Sequence, residues 1–412
     1  MTVTLPEASA ARDELEPHHA EVIRATLPLI GTHIDEITVE FYSRLFGNHP
    51  QLLRNLFNRG NQAQGAQQRA LAASIATFAS HLVDPALPHP AELLSRIGHK
   101  HASLGITADQ YPIVHDNLFA AIVAVLGSDT VTTDVAAAWD RVFWIMADTL
   151  IALERDLYAA AGVADGDVYR RAIVVSRVDD PSGAVLLTVR PTGGGTPEAP
   201  PGQYVSVGVT LPDGARQLRQ YSLVDGPGAG VLTFAVKPVD AAGDAPAGEV
   251  SNFIRDNVAL GDLVDVTLPF GDLPAPGSAL PTVLLSAGIG VTPMISLLEH
   301  FAAEDPEREI RVLHADRSER DHPLRERQRE LVDRLPRATL DVWYEDAPAG
   351  TVAGHHVGRM TLDADLVPAW AEVYLCGNDG FVRALRTQLS ELGVPAAQVH
   401  CELFSPNDWL LN

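Results

Sequence analysis

His101 shares one helical face with Leu94 and Ile97, at spacings of i, i+3 and i+7, so its imidazole turns toward the buried side while His99 points elsewhere. With 15 histidines in the chain, that spacing fits a metal ligand and a satisfied core residue alike. Gln67 and Leu71 lie four apart on the preceding helical stretch and face one way, one polar and one apolar. Phe57 closes the segment before them, where a ring can wall a flat ligand or simply fill the core. An axial imidazole, a donor facing it and an apolar wall are the parts that a metal-bearing ring requires of its pocket.

A second candidate is Ser286-Ala287-Gly288-Ile289-Gly290-Val291-Thr292-Pro293, set between an apolar strand pattern and a helical one. Gly288 and Gly290 let the backbone approach an anion, and Pro293 suits a first helical turn. The string also reads as a plain tight turn, and it departs from the dinucleotide fingerprint because proline replaces the third glycine. Farther on, Arg317 and Ser318 offer a phosphate grip, Asp316 favours an unphosphorylated ribose, and a merely solvated loop explains the three equally well. Gly248-Glu249-Val250-Ser251-Asn252 opens a short helix whose first amides would receive a phosphate.

These groups need three kinds of scaffold. From Pro17 to about Ala161 apolar residues recur at helical spacing, as in Ile34, Ile37, Phe41, Leu45 and in Leu71, Ile75, Phe78, Leu82. Residues 47–50, 84–90 and 127–129 break the pattern with Gly, Pro, Asn and Asp. Small and polar residues at 159–167 mark a linker. From Val168 to about Gly277 the chain turns to short β-branched runs between turn clusters, the texture of a small antiparallel barrel, with a hairpin tip at Gly193-Gly194-Gly195. After Pro281 strands alternate with helices, which implies a parallel sheet covered on both faces. The expected architecture is multidomain: an all-α domain over 1–161 with a short N-terminal extension, an antiparallel β-barrel domain over 168–277 and an α/β parallel-sheet domain over 281–412.

Composition narrows the partners. The chain has 412 residues, too many for one ordinary core, and a formal charge of −23 from 53 acids against 30 bases. That excess repels nucleic-acid backbones and anionic lipid surfaces, so no nucleic-acid partner and no stable membrane insertion are expected. Cys376 and Cys401 are the two cysteines, too few for a disulfide framework or a four-thiolate metal site. The first twenty residues lack the pattern of an export signal, and the nearly apolar window Pro281 to Leu298 is interrupted by Gly288, Gly290 and Pro293. A cytoplasmic monomer is the default expectation.

The ordered set Phe41-Tyr42-Ser43-Arg44-Leu45-Phe46, Leu56-Phe57-Asn58, Asn61-Gln62, Gln67-Gln68-Arg69-Ala70-Leu71, Lys100-His101-Ala102-Ser103 and Tyr111 resembles the globin part of bacterial flavohaemoglobins. That resemblance implies that His101 is the axial ligand of haem b, that Tyr42 and Gln67 hydrogen-bond oxygen opposite it, and that Leu71 and Phe57 wall the ring. It also pairs Tyr111 and Glu154 behind the histidine, where a carboxylate accepting the imidazole N–H makes the ligand more basic. The alternative reading of Glu154 is a surface residue, because Arg155 and Asp156 follow it.

Arg219-Gln220-Tyr221-Ser222-Leu223, expected to open a strand, resembles the flavin signature of the ferredoxin reductase superfamily. Arginine can grip the pyrophosphate, tyrosine can lie beside the isoalloxazine and serine can bond its edge. Pro201-Gly202-Gln203-Tyr204 resembles the flavin-side strand, so Gln203, Tyr204, Gly248, Val250 and Ser251 join the implied FAD site. Gly288, Gly290, Thr292 and Pro293 resemble the nicotinamide loop of that superfamily, and Cys376 and Gly377 resemble its second cofactor loop. At the C-terminal end Phe404 would cover the flavin, while Glu402 and Lys100 would lie near the gap between flavin and haem. Cys401 and Ser405 stand where relatives carry tyrosine and glycine.

The resemblance runs from about Phe41 to Pro406. It implies a nitric oxide dioxygenase that turns NO and O2 into nitrate, with electrons passing from NADH or NADPH through FAD to haem. The alternatives are an O2 or NO sensor with a reductase half, and a variant that oxidises D-lactate.

Overall fold

The computed structural model describes residues 15–63, 65–87, 90–193, 199–225, 230–243, 245–275, 277, 279–346 and 354–405. The N-terminal extension before residue 15, Pro406 and most of the tip at Gly193-Gly194-Gly195 lie outside the described residues. Two compact units emerge, one of residues up to Tyr169 together with Thr210–Leu218, the other of Arg170–Val209 with Arg219–Ser405.

The first unit is helical: α1 (Pro17–Asn48), α2 (Pro50–Asn55), α3 (Arg59–Ala63), α4 (Ala66–Val83), α5 (Ser95–Ser103), α6 (Tyr111–Leu126) and α7 (Thr133–Ala160). Pro begins both α1 and α2, where its missing N–H costs nothing. Thr132 caps α7 by accepting the Val135 N–H, and Asp134 sits in its first turn, where the helix dipole favours a negative charge. Pro28 inside α1 forfeits one backbone hydrogen bond; the helix continues, with the Thr32 hydroxyl bonded to the Pro28 carbonyl at 2.9 Å. The core joins Ile23, Ile30, Ile37 and Phe41 of α1 to Phe78 of α4, Leu118 of α6 and Trp139 of α7.

One close approach positions the site. A Cβ at Gly98 would lie 2.4 Å from Leu153 Cδ2. Only hydrogen at that position lets α5 settle so closely against α7.

The second unit begins with β1 (Tyr169–Asp179), β2 (Val185–Pro191), β3 (Tyr204–Thr210), β4 (Arg216–Ser222), β5 (Leu232–Val236), helix α8 (Glu249–Asn257) and β6 (Leu263–Thr267). These strands form one sheet in the order β4-β3-β6-β1-β2-β5, with antiparallel pairs β1–β2, β2–β5 and β3–β6. Leu223, just past β4, bridges Phe234 of β5, so the two edge strands meet and curl the sheet toward closure. Arg219 to Ser222 finish β4 instead of opening a strand. The turn at Leu211–Ala215, with Gly214 at φ +76°, starts the pairing three residues before Arg219.

The remaining elements are β7 (Thr282–Ala287), α9 (Val291–Glu304), β8 (Ile310–Asp316), α10 (Arg325–Asp333), β9 (Ala338–Tyr344), β10 (His355–Val357), β11 (Glu372–Gly377), α11 (Asp379–Glu391) and β12 (Val399–Leu403). All strand pairs of this second sheet are parallel, in the order β10-β9-β8-β7-β11-β12. Central strand β7 is buried at Val283, Leu284 and Leu285, as a strand covered on both faces must be. The chain thus combines a helical N-terminal domain, an antiparallel sheet domain and a parallel α/β domain. No described helix is long and apolar enough to cross a membrane.

Candidate functional site

Helix α5 carries His101 in its last turn, and α7 presents Glu154 to it. The Glu154 side chain is only 2% exposed, although acidic Asp156 and basic Arg155 flank it in sequence. Its Oε1 lies 2.8 Å from His101 Nδ1 and 2.5 Å from the Tyr111 hydroxyl, which donates to it. His101 Nδ1 is also 3.2 Å from that hydroxyl. A buried carboxylate needs donors, and these two supply them. With Nδ1–H donating to Glu154, the Nε2 lone pair of His101 is left for a metal. Burial and the Glu154 charge together hold the Tyr111 phenol far above its ordinary pKa, so it stays a donor.

Among the described residues no group of three or more His, Cys, Asp or Glu could hold a bare metal ion. A metal on His101 must therefore arrive with its own ring of donors, and the single imidazole with its carboxylate behind it fits haem.

Across the same core Tyr42 is 6% exposed, packed edge-on against Phe57 with centroids 6.0 Å apart and stacked on Phe46 at 5.5 Å. Burial raises its pKa above the ordinary range, and the Gln62 side chain beside it opposes the rise. Gln62 in turn accepts from Gln68 Nε2 at 3.0 Å, and its own buried Nε2 lacks a partner among the described residues. Gln67 is the second residue of α4, half-buried, one turn before Leu71, which packs on the helical core with Phe57. Within the same helical core an apolar cavity is lined by Ile34, Ile37, Ile75, Phe78, Val142 and Met146.

Sequence reasoning quoted Gln62 without giving it a role and passed over Gly98 and Gln217. Gln217 is 1% exposed and donates through Nε2 to the carbonyls of Leu53, Arg54 and Phe57 at 3.3, 3.0 and 3.2 Å. It thereby satisfies carbonyls that the end of α2 leaves open and fixes the Phe57 backbone. A long-range contact of this sort leaves no periodic trace; Gly98 inside a helical pattern was the one available signal.

In the second unit, β4 presents Arg219, Gln220, Tyr221 and Ser222. The Tyr221 ring stacks on Phe234 at 5.6 Å, and its buried hydroxyl has no partner among the described residues. Burial raises this phenol's pKa too, with Arg219 opposing. An orphaned, buried hydroxyl beside a flat apolar ring fits a heterocycle with polar edges, which FAD is. Gln220 Nε2 donates to Ser206 Oγ at 3.2 Å. Gln203 accepts the Leu223 N–H at 2.9 Å, and Tyr204 exchanges two backbone bonds with Phe270.

At the start of α8, a Cβ on Gly248 would stand 2.7 Å from Ser251 Oγ. Val250 is fully packed below, and no side chain caps the helix, whose N-terminal end carries the partial positive charge that favours an anion. The loop after β7 forms a 3-10 turn at Gly288–Gly290, and α9 starts at Val291, two residues before Pro293. Pro293 still falls in the first turn, where no N–H is required. Thr292 closes the turn by donating to the Ile289 carbonyl at 2.9 Å.

A Cβ on Gly290 would be 2.5 Å from the Cys376 carbonyl and 2.9 Å from the Gly377 nitrogen, so the two sequence-distant loops meet backbone to backbone. Cys376 is buried at the end of β11, with Glu402 of β12 opposite in the register. Phe404, just past β12, is 48% exposed, a large ring left in solvent. Lys100 is half-buried on α5 in the first unit, whereas Glu402 belongs to the second.

Residues 39–150 match the globin family, and residues 284–387 match the oxidoreductase NAD-binding domain family. A flavohemoprotein of Bordetella parapertussis is 39% identical over 402 residues, which cover 95% of this chain and 98% of that one. The crystal structure of a flavohemoglobin from Malassezia yamatoensis, with bound FAD and heme, superposes with a TM-score of 0.86 at 34% identity and covers 95% of this chain and 100% of its own. The FAD/NAD-binding domain of a nitric oxide dioxygenase from Vibrio cholerae is 30% identical, with a TM-score of 0.53, over 57% of this chain and 98% of its own.

Proposed function

The chain belongs to the flavohaemoprotein family, NAD(P)H-dependent oxidoreductases, and from that membership we propose that it is a nitric oxide dioxygenase. Its substrates are NO, O2 and a reduced pyridine nucleotide, its product is nitrate, and its setting is nitrosative stress in the cytoplasm. In this reading, residues 1–161 hold haem b, 168–277 hold FAD and 281–412 take the nucleotide. When bound, FAD divides a hydride pair into single electrons, and haem supplies the iron on which the two gases meet.

The chain's own residues set the conditions. His101 would hold iron through Nε2, and Glu154 Oε1, 2.8 Å from Nδ1, accepts the Nδ1–H, which would make the imidazole a stronger donor toward iron. Tyr111 shares that carboxylate and keeps its orientation. Tyr42, neutral and buried, is placed to donate to a bound gas, with Gln62 and Gln67 on the same side, and Phe57 and Leu71 exclude water. The apolar cavity in the helical core suits uncharged diatomic gases. Arg219, Tyr221 and Ser222 orient the flavin, Gln203, Tyr204 and Gln220 shape its strand side, and the α8 amides take its phosphate. The Gly288–Gly290 turn, Thr292 and the Cys376-Gly377 loop receive the nicotinamide end, and Phe404 covers the flavin in its absence.

The single observation that carries this reading is the His101, Glu154 and Tyr111 triad. A pocket built only to store oxygen has no need of a buried carboxylate pushing on the ligand. The test is steady-state consumption by the cofactor-loaded chain. NO, O2 and reduced nucleotide should disappear together with nitrate formed, and His101→Ala should abolish the Soret band while flavin bleaching persists. Slow, uncoupled consumption would instead describe a sensor, and flavin bleached by lactate without nucleotide would describe a hydroxy-acid oxidase.

A further inference from the structure

Asp316 ends β8 with its side chain 7% exposed. Its Oδ1 accepts the Arg317 backbone N–H at 2.8 Å, whereas its buried Oδ2 has no hydrogen-bond partner among the described residues. A Cβ on Gly288 would lie 4.0 Å from that same Oδ2. The orphaned oxygen therefore faces the glycine turn, at the carboxyl end of the sheet, where an α/β fold takes its ligand.

The two imidazoles beneath it supply no counter-charge at neutral pH. His314 Nε2 lies 3.8 Å from Asp316 Oδ2, and His314 and His322 stack with centroids 3.7 Å apart. Ser286 holds His314 Nδ1 and Tyr344 holds His322 Nδ1, each at 2.9 Å. Burial pushes the two imidazoles down to about 3 and about 2, so both are neutral. Lys237 acts on the carboxyl electrostatically, and its ammonium donates to the Asp321 carbonyl at 3.1 Å. Asp316 is thus an acceptor that lacks a donor, and a hydroxyl is what it lacks.

The phosphate grip offered by Arg317 and Ser318 is not assembled. Ser318 Oγ donates to Asp321 Oδ2 at 2.7 Å and accepts the Asp321 N–H at 3.3 Å, capping its own turn. The Arg317 guanidinium is 73% exposed and leans 3.5 Å from Asp321. A 2′-phosphate placed here would meet the carboxylates of Asp316 and Asp321, while a ribose hydroxyl would meet only acceptors.

We propose that Asp316 Oδ2 accepts a ribose hydroxyl of the incoming dinucleotide, making the chain selective for NADH over NADPH. This rests on the reductase reading above. The experiment titrates the cofactor-loaded chain with NAD+ and NADP+ by calorimetry, and follows anaerobic flavin bleaching by NADH and by NADPH.

NAD+ should bind at least about tenfold tighter than NADP+, and Asp316→Ala should erase most of that ratio. Asp316→Asn, nearly isosteric, should keep part of it. Arg317→Ala should leave it unchanged. Equal or tighter NADP+ binding by the parent chain, an unchanged ratio in Asp316→Ala, or a selective loss of NADP+ in Arg317→Ala overturns the assignment. Equal bleaching by both nucleotides sinks this inference alone, whereas bleaching by neither sinks the reductase reading with it.

Discussion

Replacing Glu154 by glutamine changes one charge and almost no volume, at a residue that is 2% exposed and accepts two hydrogen bonds on one oxygen. A hydrogen bond to a charged acceptor contributes about 1.5–3 kcal/mol and a neutral one about 0.5–1.5. Each bond therefore loses about 1 kcal/mol, and the new amide N–H2 enters a pocket whose neighbours are donors. In the proposed haem site only the His101 bond couples to iron. The anionic carboxylate favours the oxidised metal, so the neutral amide should raise the midpoint potential. One electron at about 59 mV per tenfold, or per 1.36 kcal/mol, sets the ceiling of the upward shift at about 40 mV, reached when the loss falls wholly on the oxidised form. Spectroelectrochemical titration of the Soret band measures the shift, and the iron–histidine stretch of the ferrous form should weaken with it. Flavin bleaching by NADH serves as the control and should not change. A potential and a stretch both equal to the parent's, at full haem content, would refute the argument that this carboxylate acts on the ligand.

Two further outcomes follow from packing and from protonation. Gly98→Ala puts a methyl 2.4 Å from Leu153 Cδ2 and 2.9 Å from its Cγ, so either the Leu153 side chain turns aside or α5 backs away from α7. The chain should lose about 1–3 kcal/mol of stability, seen as a lower melting temperature together with a perturbed iron–histidine stretch; an unchanged melt would show that Leu153 absorbs the methyl. His314 and His322 titrate near 6.5 when unfolded but only at about 3 and about 2 in the fold. Below pH 6.5 the unfolded chain binds more protons, so their contribution is complete above 6.5 and drains away as pH falls toward 3. His322→Gln should flatten the decline of urea-unfolding stability between pH 6.5 and 4, and an acid limb as steep as the parent's would remove this pair as its cause.

Much of the architecture could be read from local pattern. Helical spacing in Ile34, Ile37, Phe41 and Leu45, β-branched runs such as Leu232–Val236, and the glycine turn after Thr282–Ala287 each state their own conformation, because amphipathic period and backbone freedom are properties of neighbouring residues. Tertiary structure decided what those neighbours could not. Glu154, between Leu153 and Arg155, admits both a solvent-facing and a buried reading until Gly98 lets α5 close on α7 and brings in His101, 53 residues away. Asp316, Arg317 and Ser318 are adjacent in the chain and were evenly matched as nucleotide readers. Asp321 occupies the arginine and the serine, and burial leaves one oxygen of Asp316 without a donor. Side-chain type limits which chemistry a residue can perform, but desolvation and the partners it meets across the fold choose among those options, and both are set only when distant segments pack.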